Sequence, residues 1–132
     1  MPGRPSGSDE SRELAIAAAR AATAKQAEHI AILDVHGLIV ITDYFVICSG
    51  GTDRQVRTIV EEMERALRAL GRKPLRREGE TESRWVLLDY FDVVVHVFAE
   101  EEREYYDLER LWRDAPRVGL EDRGHAAAGS LD

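Results

Sequence analysis

The tetrad Thr52-Asp53-Arg54-Gln55 marks the start of a helix more firmly than any other local signal in this chain. It has capping-box spacing, in which Thr52 accepts a hydrogen bond from the Gln55 backbone and the Gln55 side chain reaches back toward the helix start. Val56, Ile59, Val60, Met63, Leu67 and Leu70 then recur at three- and four-residue intervals, so one face is apolar and seeks burial. Gly71 ends the helix, because glycine tolerates a left-handed conformation. Just upstream, Tyr44 to Cys48 is a continuous apolar run, which predicts a central strand covered on both faces. A buried strand feeding an amphipathic helix constrains the chain to layers of sheet and helix.

The other elements fit that plan. Ser11 to Ala24 predicts a first helix, since eight positions between Ala15 and Ala27 are alanine, the best helix former. Ser8 or Asp9 can cap it, and Glu10 and Glu13 suit the positive end of its dipole. Ile30 to Val35 reads as a strand that ends at His36-Gly37. Lys73 to Arg77 fits a short edge strand. Trp85 to Asp89 and Val93 to Phe98 are strong strand candidates so close together that they predict an antiparallel hairpin. A last helix carries Tyr105, Leu108, Leu111 and Trp112 on one face and stops before Pro116. The fold class is therefore α/β, in the α+β sense: a mixed sheet of about five strands with helices packed on it. One domain is expected over residues 9–116. Residues 1–8 and 117–132 lack periodic apolar positions and read as disordered tails.

Composition narrows the function. The chain has 132 residues, with 25 Asp and Glu against 18 Lys and Arg, and this acidity opposes general affinity for phosphate backbones. No direct DNA binding is expected. The charge is also polarised: residues 52–77 carry a balance of +4 and residues 78–114 one of −8, poles that can steer a charged partner or belong to an ordinary solvated surface. Cys48 is the only cysteine, which excludes an internal disulfide and a multi-cysteine metal site and suits a reducing cytoplasm. No apolar run approaches the roughly 20 residues that span a bilayer. A soluble, cytoplasmic protein with no membrane partner is expected.

Catalytic chemistry finds little support. Ser49-Gly50-Gly51-Thr52 follows a buried strand and opens a helix, a setting in which backbone amides can hold phosphate. Its spacing matches neither a dinucleotide fingerprint nor a P-loop, and glycines also serve tight turns. No closely spaced carboxylate pair follows it for the metal ions of phosphoryl transfer. Asp53 alone is a favourable first-turn charge. His29, His36, His96 and His125 are too scattered for a metal motif, so neither a metal nor a cofactor is expected. His96, inside a Val-rich strand, reads as a hydrogen-bonded structural histidine, and Cys48 as a buried inert thiol. The chain reads as a non-enzyme, with a nucleotide-binding or nucleotidyltransferase-type enzyme using Ser49 to Asp53 as the alternative.

Apolar surface is the more distinctive feature. Alternation sends Trp85, Leu87 and Asp89 to one face of their strand and Val86, Leu88 and Tyr90 to the other, so both faces carry large apolar groups. Either one face meets a partner or the strand lies between layers of helix. Tyr106 falls off the Tyr105–Leu108–Trp112 face, as a rim aromatic of an interface would.

Several segments together resemble a known family: Leu33-Asp34-Val35, Ile41 to Gly50, Thr52 to Val56, Trp85 to Tyr90, Asp92 to Phe98 and Tyr106 to Trp112. In order and spacing they are similar to the ribosomal silencing factors, also called the Iojap family, over roughly Leu14 to Pro116. The resemblance implies a fold shaped like a nucleotidyltransferase without its catalytic acids. It also implies a homodimer, and binding to the large ribosomal subunit through its ribosomal protein fourteen, which would block joining of the small subunit and so repress translation. Trp85 and Tyr106 match positions of the family's motifs, which makes them candidate partner-binding residues with Leu87, Asp89 and Glu109 beside them. Phe91 departs from the family, where a glycine is usual.

Overall fold

In the computed structural model, which describes residues 9–38, 42–100, 113 and 115–120, the elements follow the order α1 (Asp9–Ala24), β1 (Glu28–Asp34), β2 (Tyr44–Gly50), α2 (Asp53–Ala69), β3 (Arg76–Glu78), β4 (Trp85–Asp89) and β5 (Val93–Ala99). The mixed five-stranded sheet has the order β1-β2-β5-β4-β3. β2 and β5 are parallel, and every other pairing is antiparallel. The two apolar runs with the least polar interruption are thus interior strands, with neighbours on both sides. The last expected helix, with Tyr105, Leu108, Leu111 and Trp112, lies outside the described residues.

Both helices pack on the same face of the sheet. Ala15, Ala18, Ala19 and Ala22 of α1 are fully buried, and their small side chains let the helix approach α2 and β2 closely. Val56, Ile59, Met63 and Leu67 of α2 are likewise fully buried against β2 and β5, as the sequence stripe predicts. Leu70 departs from the stripe and is 55% exposed. The helix stops at Ala69, and Gly71, at φ +83°, turns the chain away before Leu70 can reach the core.

The start of α2 differs from the expected cap in one detail. Thr52 Oγ1 accepts from the Gln55 amide at 3.0 Å, but Gln55 Oε1 accepts from Gly51, at 2.8 Å, instead of from Thr52 itself. Gln55 Nε2 also donates to the Gln26 carbonyl at 3.1 Å, which ties the helix start to the turn between α1 and β1.

At the opposite end of the sheet a polar knot joins four segments. Ser11 Oγ of α1, almost fully buried, lies 3.0 Å from Asp43 Oδ2 and 2.9 Å from Asp92 Oδ2. Arg72 Nη2 donates to Asp92 Oδ1 at 2.6 Å and to the Tyr90 carbonyl at 2.9 Å. The knot holds α1, the approach to β2, the segment after α2 and the β4–β5 turn in one geometry. In that turn Phe91 has φ +81°, so it adopts the left-handed backbone that a glycine would favour.

Pairing continues into the segment that the sequence assigns to the C-terminal tail. The Asp34 amide donates to the Pro116 carbonyl at 2.8 Å, and the Val118 amide donates to the Ile32 carbonyl at 2.9 Å, along the outer edge of β1. Val118 and Leu120 pack against the core, and Arg20 donates to the Leu120 carbonyl.

Candidate functional site

Alternation along β4 resolves as the sequence proposes. Val86, Leu88 and Tyr90 are buried toward α2, whereas Trp85, Leu87 and Asp89 are half-buried on the opposite face. Register assembles the surroundings of that second face: Trp85 lies opposite Phe98, Leu87 opposite His96 and Asp89 opposite Val94, while Phe45 and Ile47 of β2 continue it on the other side of β5. Ala31, Leu33, Val35, Ile47, Phe98 and Ala115 form a small apolar cluster there, with Phe45 and Trp85 packed against it. Among the described residues no helix lies on this face.

Trp85 and His96 are its centre. The indole rests on Phe98 with ring centroids 4.9 Å apart, and its Nε1 donates to His96 Nδ1 at 3.2 Å. An accepting Nδ1 places the neutral ring's proton on Nε2, which is buried and has no hydrogen-bond partner among the described residues. Burial pushes the imidazole down to about 4, so the ring is neutral at physiological pH and continues to accept from Trp85. Phe45 meets the same ring edge-on at 5.0 Å. A histidine locked between aromatics suits orientation of a neighbour more than proton transfer.

Asp89, also on this face, has both oxygens engaged within the chain. Oδ1 accepts from the Phe91 amide at 2.8 Å and Oδ2 from Arg76 Nε at 3.2 Å. The carboxylate therefore shapes the hairpin tip and the β3 edge. Trp85, Leu87 and Asp89 are brought together, whereas Tyr106 and Glu109 lie outside the described residues.

The Ser49 to Asp53 turn is used by the fold itself. A Cβ on Gly50 would stand 3.2 Å from the Val56 amide nitrogen and from Ile59 Cδ1, so this glycine permits close strand-to-helix packing. The Gly51 amide is given to Gln55, Thr52 Oγ1 caps the helix, and Arg84 Nη1 lies 3.9 Å from Asp53 Oδ1. These contacts account for the turn without a phosphate.

The structure also gathers residues that spacing alone leaves apart. Glu28 and His29 begin β1 and Glu100 follows β5, yet their ligand atoms all lie within 4.8 Å of one another. A separation of 71 residues between His29 and Glu100 leaves no local signal for this group.

The sequence model of the family described as "Ribosomal silencing factor during starvation" matches residues 8–130. The chain is 44% identical over 110 residues to ribosomal silencing factor RsfS of Halalkalibacterium halodurans, covering 83% of this chain and 94% of that one. To the protein of the same name from Bacillus subtilis it is 48% identical over 104 residues, covering 79% and 88% respectively. The mouse protein named mitochondrial assembly of ribosomal large subunit protein 1 is 32% identical over 91 residues, 67% of this chain and 40% of that one. A crystal structure of a Bacillus halodurans protein, 41% identical, superposes with a TM-score of 0.72 over 82% of this chain and 98% of its own. With the family's pattern matched across nearly the whole chain and the same fold in a solved relative, the chain belongs to the ribosomal silencing factor family.

Proposed function

We propose that this protein represses translation by docking on the large ribosomal subunit, through its ribosomal protein fourteen, and excluding the small subunit. The observation that carries the reading is the half-buried face of Trp85 and Leu87 on a sheet whose two helices, among the described residues, lie on the other side. Half-exposed aromatics beside a packed apolar patch are the usual anchors of protein interfaces. The name of the mouse relative, which ties that protein to the large subunit, supports the choice of subunit.

The partner-binding set comprises Trp85, Leu87, Asp89, Tyr106 and Glu109. The activity is steric, since occupied surface is unavailable for a bridge between subunits and no bond is made or broken. Binding free energy is then the whole of the function. The acidic balance of residues 78–114 complements a basic ribosomal protein and raises the association rate at low salt. In free solution, in the cytoplasm, the protein is a homodimer, which sedimentation equilibrium tests directly.

The decisive experiment mixes purified protein with isolated large subunits and then adds small subunits. Co-sedimentation with the large subunit and a lower yield of joined ribosomes are expected. Unchanged joining at a saturating excess of protein overturns the proposal.

A further inference from the structure

We propose that Glu28, His29 and Glu100 form a binding site for one divalent transition metal of the zinc class, at the end of the sheet where β1 begins and β2 and β5 finish. Register brings the three together. Glu28 pairs with Ser49 of β2, and Gly50 pairs with Ala99 of β5, so Glu100 leaves the sheet beside the first residues of β1. Between Glu28 and Ala31 the register shifts, and His29 within that irregularity projects to Glu100.

The spacing is that of adjacent ligands on one ion. His29 Nε2 and Glu100 Oε2 are 3.1 Å apart, and all three donor groups fall within 4.8 Å. Two donors each about 2.0–2.1 Å from a zinc ion stand roughly 3.3 Å apart at the tetrahedral angle. An ion can thus enter between His29 and Glu100 with little movement, and the exposed Glu28 side chain closes the remaining distance by rotation. The second oxygen of Glu100 is 3.3 Å from Ser49 Oγ, and Ser49 is itself fully buried and fixed to the Glu28 carbonyl at 3.1 Å. Such outer contacts orient a ligating carboxylate.

Donor chemistry sets the class of ion. One imidazole and two carboxylates suit zinc, cobalt or nickel, whereas magnesium and calcium take oxygen donors almost exclusively. The two carboxylates also bring negative charge to the group, which a divalent ion offsets. His29 and Glu100 side chains are 58% and 39% exposed, which leaves the remaining position to water. Without an ion the same atoms form a surface hydrogen bond, and that is the competing account of their proximity.

Calorimetric titration of the full chain with zinc chloride, and separately with magnesium chloride, distinguishes the two. Zinc is expected to bind at one ion per chain, and saturable magnesium binding is not expected. His29→Ala and Glu100→Gln should each weaken zinc binding at least tenfold. Zinc should raise the melting temperature of the native chain and leave that of His29→Ala unmoved. All three groups are on the surface, so circular dichroism should show both variants folded, and Glu28→Gln provides a third if one is not. Absence of saturable zinc binding overturns the proposal, as does zinc binding of undiminished strength in the variants, which would place the ion elsewhere. The test is independent of ribosome binding.

Discussion

The indole N–H of Trp85 donates to Nδ1 of His96 at 3.2 Å, and this single contact fixes two rings at once. It sets the tautomer of a histidine whose other nitrogen has no hydrogen-bond partner among the described residues, and it holds the tryptophan at a 30° tilt against Phe98. A preordered aromatic loses little rotamer entropy on binding, which is how such residues become strong anchors.

Trp85→Ala should therefore weaken binding to the large subunit by about 2 kcal/mol, roughly thirtyfold. Its folding free energy should fall by less than the about 3–5 kcal/mol that truncating a core aromatic costs. Binding titration and thermal unfolding on the same variant check both. Undiminished binding removes Trp85 from the interface.

The depressed basicity of His96 predicts a stability change with pH. The folded imidazole titrates at about 4, and the unfolded one at its ordinary 6.5, so between those values the unfolded chain binds more protons. Stability from this group is complete above about 6.5 and is lost as pH falls toward about 4. At 1.36 kcal/mol per tenfold change in proton affinity, the loss is on the order of 3 kcal/mol. Denaturant unfolding at several pH values should show a shallower acid decline in His96→Leu than in the native chain. Parallel declines would contradict the burial argument.

Phe91 occupies a backbone conformation suited to glycine, at φ +81°, with its side chain 58% exposed. A non-glycine residue there carries a steric cost of roughly 1–2 kcal/mol, partly offset by glycine's greater freedom when unfolded, about 0.5–1 kcal/mol. Phe91→Gly is expected to stabilise the fold slightly, by up to about 1 kcal/mol. Phe91→Val, β-branched, should destabilise it. Calorimetric melting of the pair tests the ordering.

Ser11 supplies a hydroxyl that lies within hydrogen-bond distance of both Asp43 and Asp92. Ser11→Ala keeps the helix but withdraws that donor, so a cost of about 1–3 kcal/mol is expected. Ser11→Thr, which restores the hydroxyl, should recover part of it. An Ala variant as stable as the native chain would show that the knot does not depend on this oxygen.

Local chemistry determined much of this protein. Thr52 and Gln55 fixed the start of α2, Gly71 its end, and the alternation from Trp85 to Tyr90 sorted β4 into two faces, because capping and side-chain periodicity act over a few residues. Even the motifs of the family lie within such short runs. The tertiary structure decided what depends on register between distant segments. It set Trp85 over His96, joined Ser11 to Asp43 and Asp92, carried Pro116 and Val118 along β1, and gathered Glu28, His29 and Glu100 at one end of the sheet. A strand's pattern states which face a residue takes, but only the sheet order β1-β2-β5-β4-β3 states which residue lies beside it.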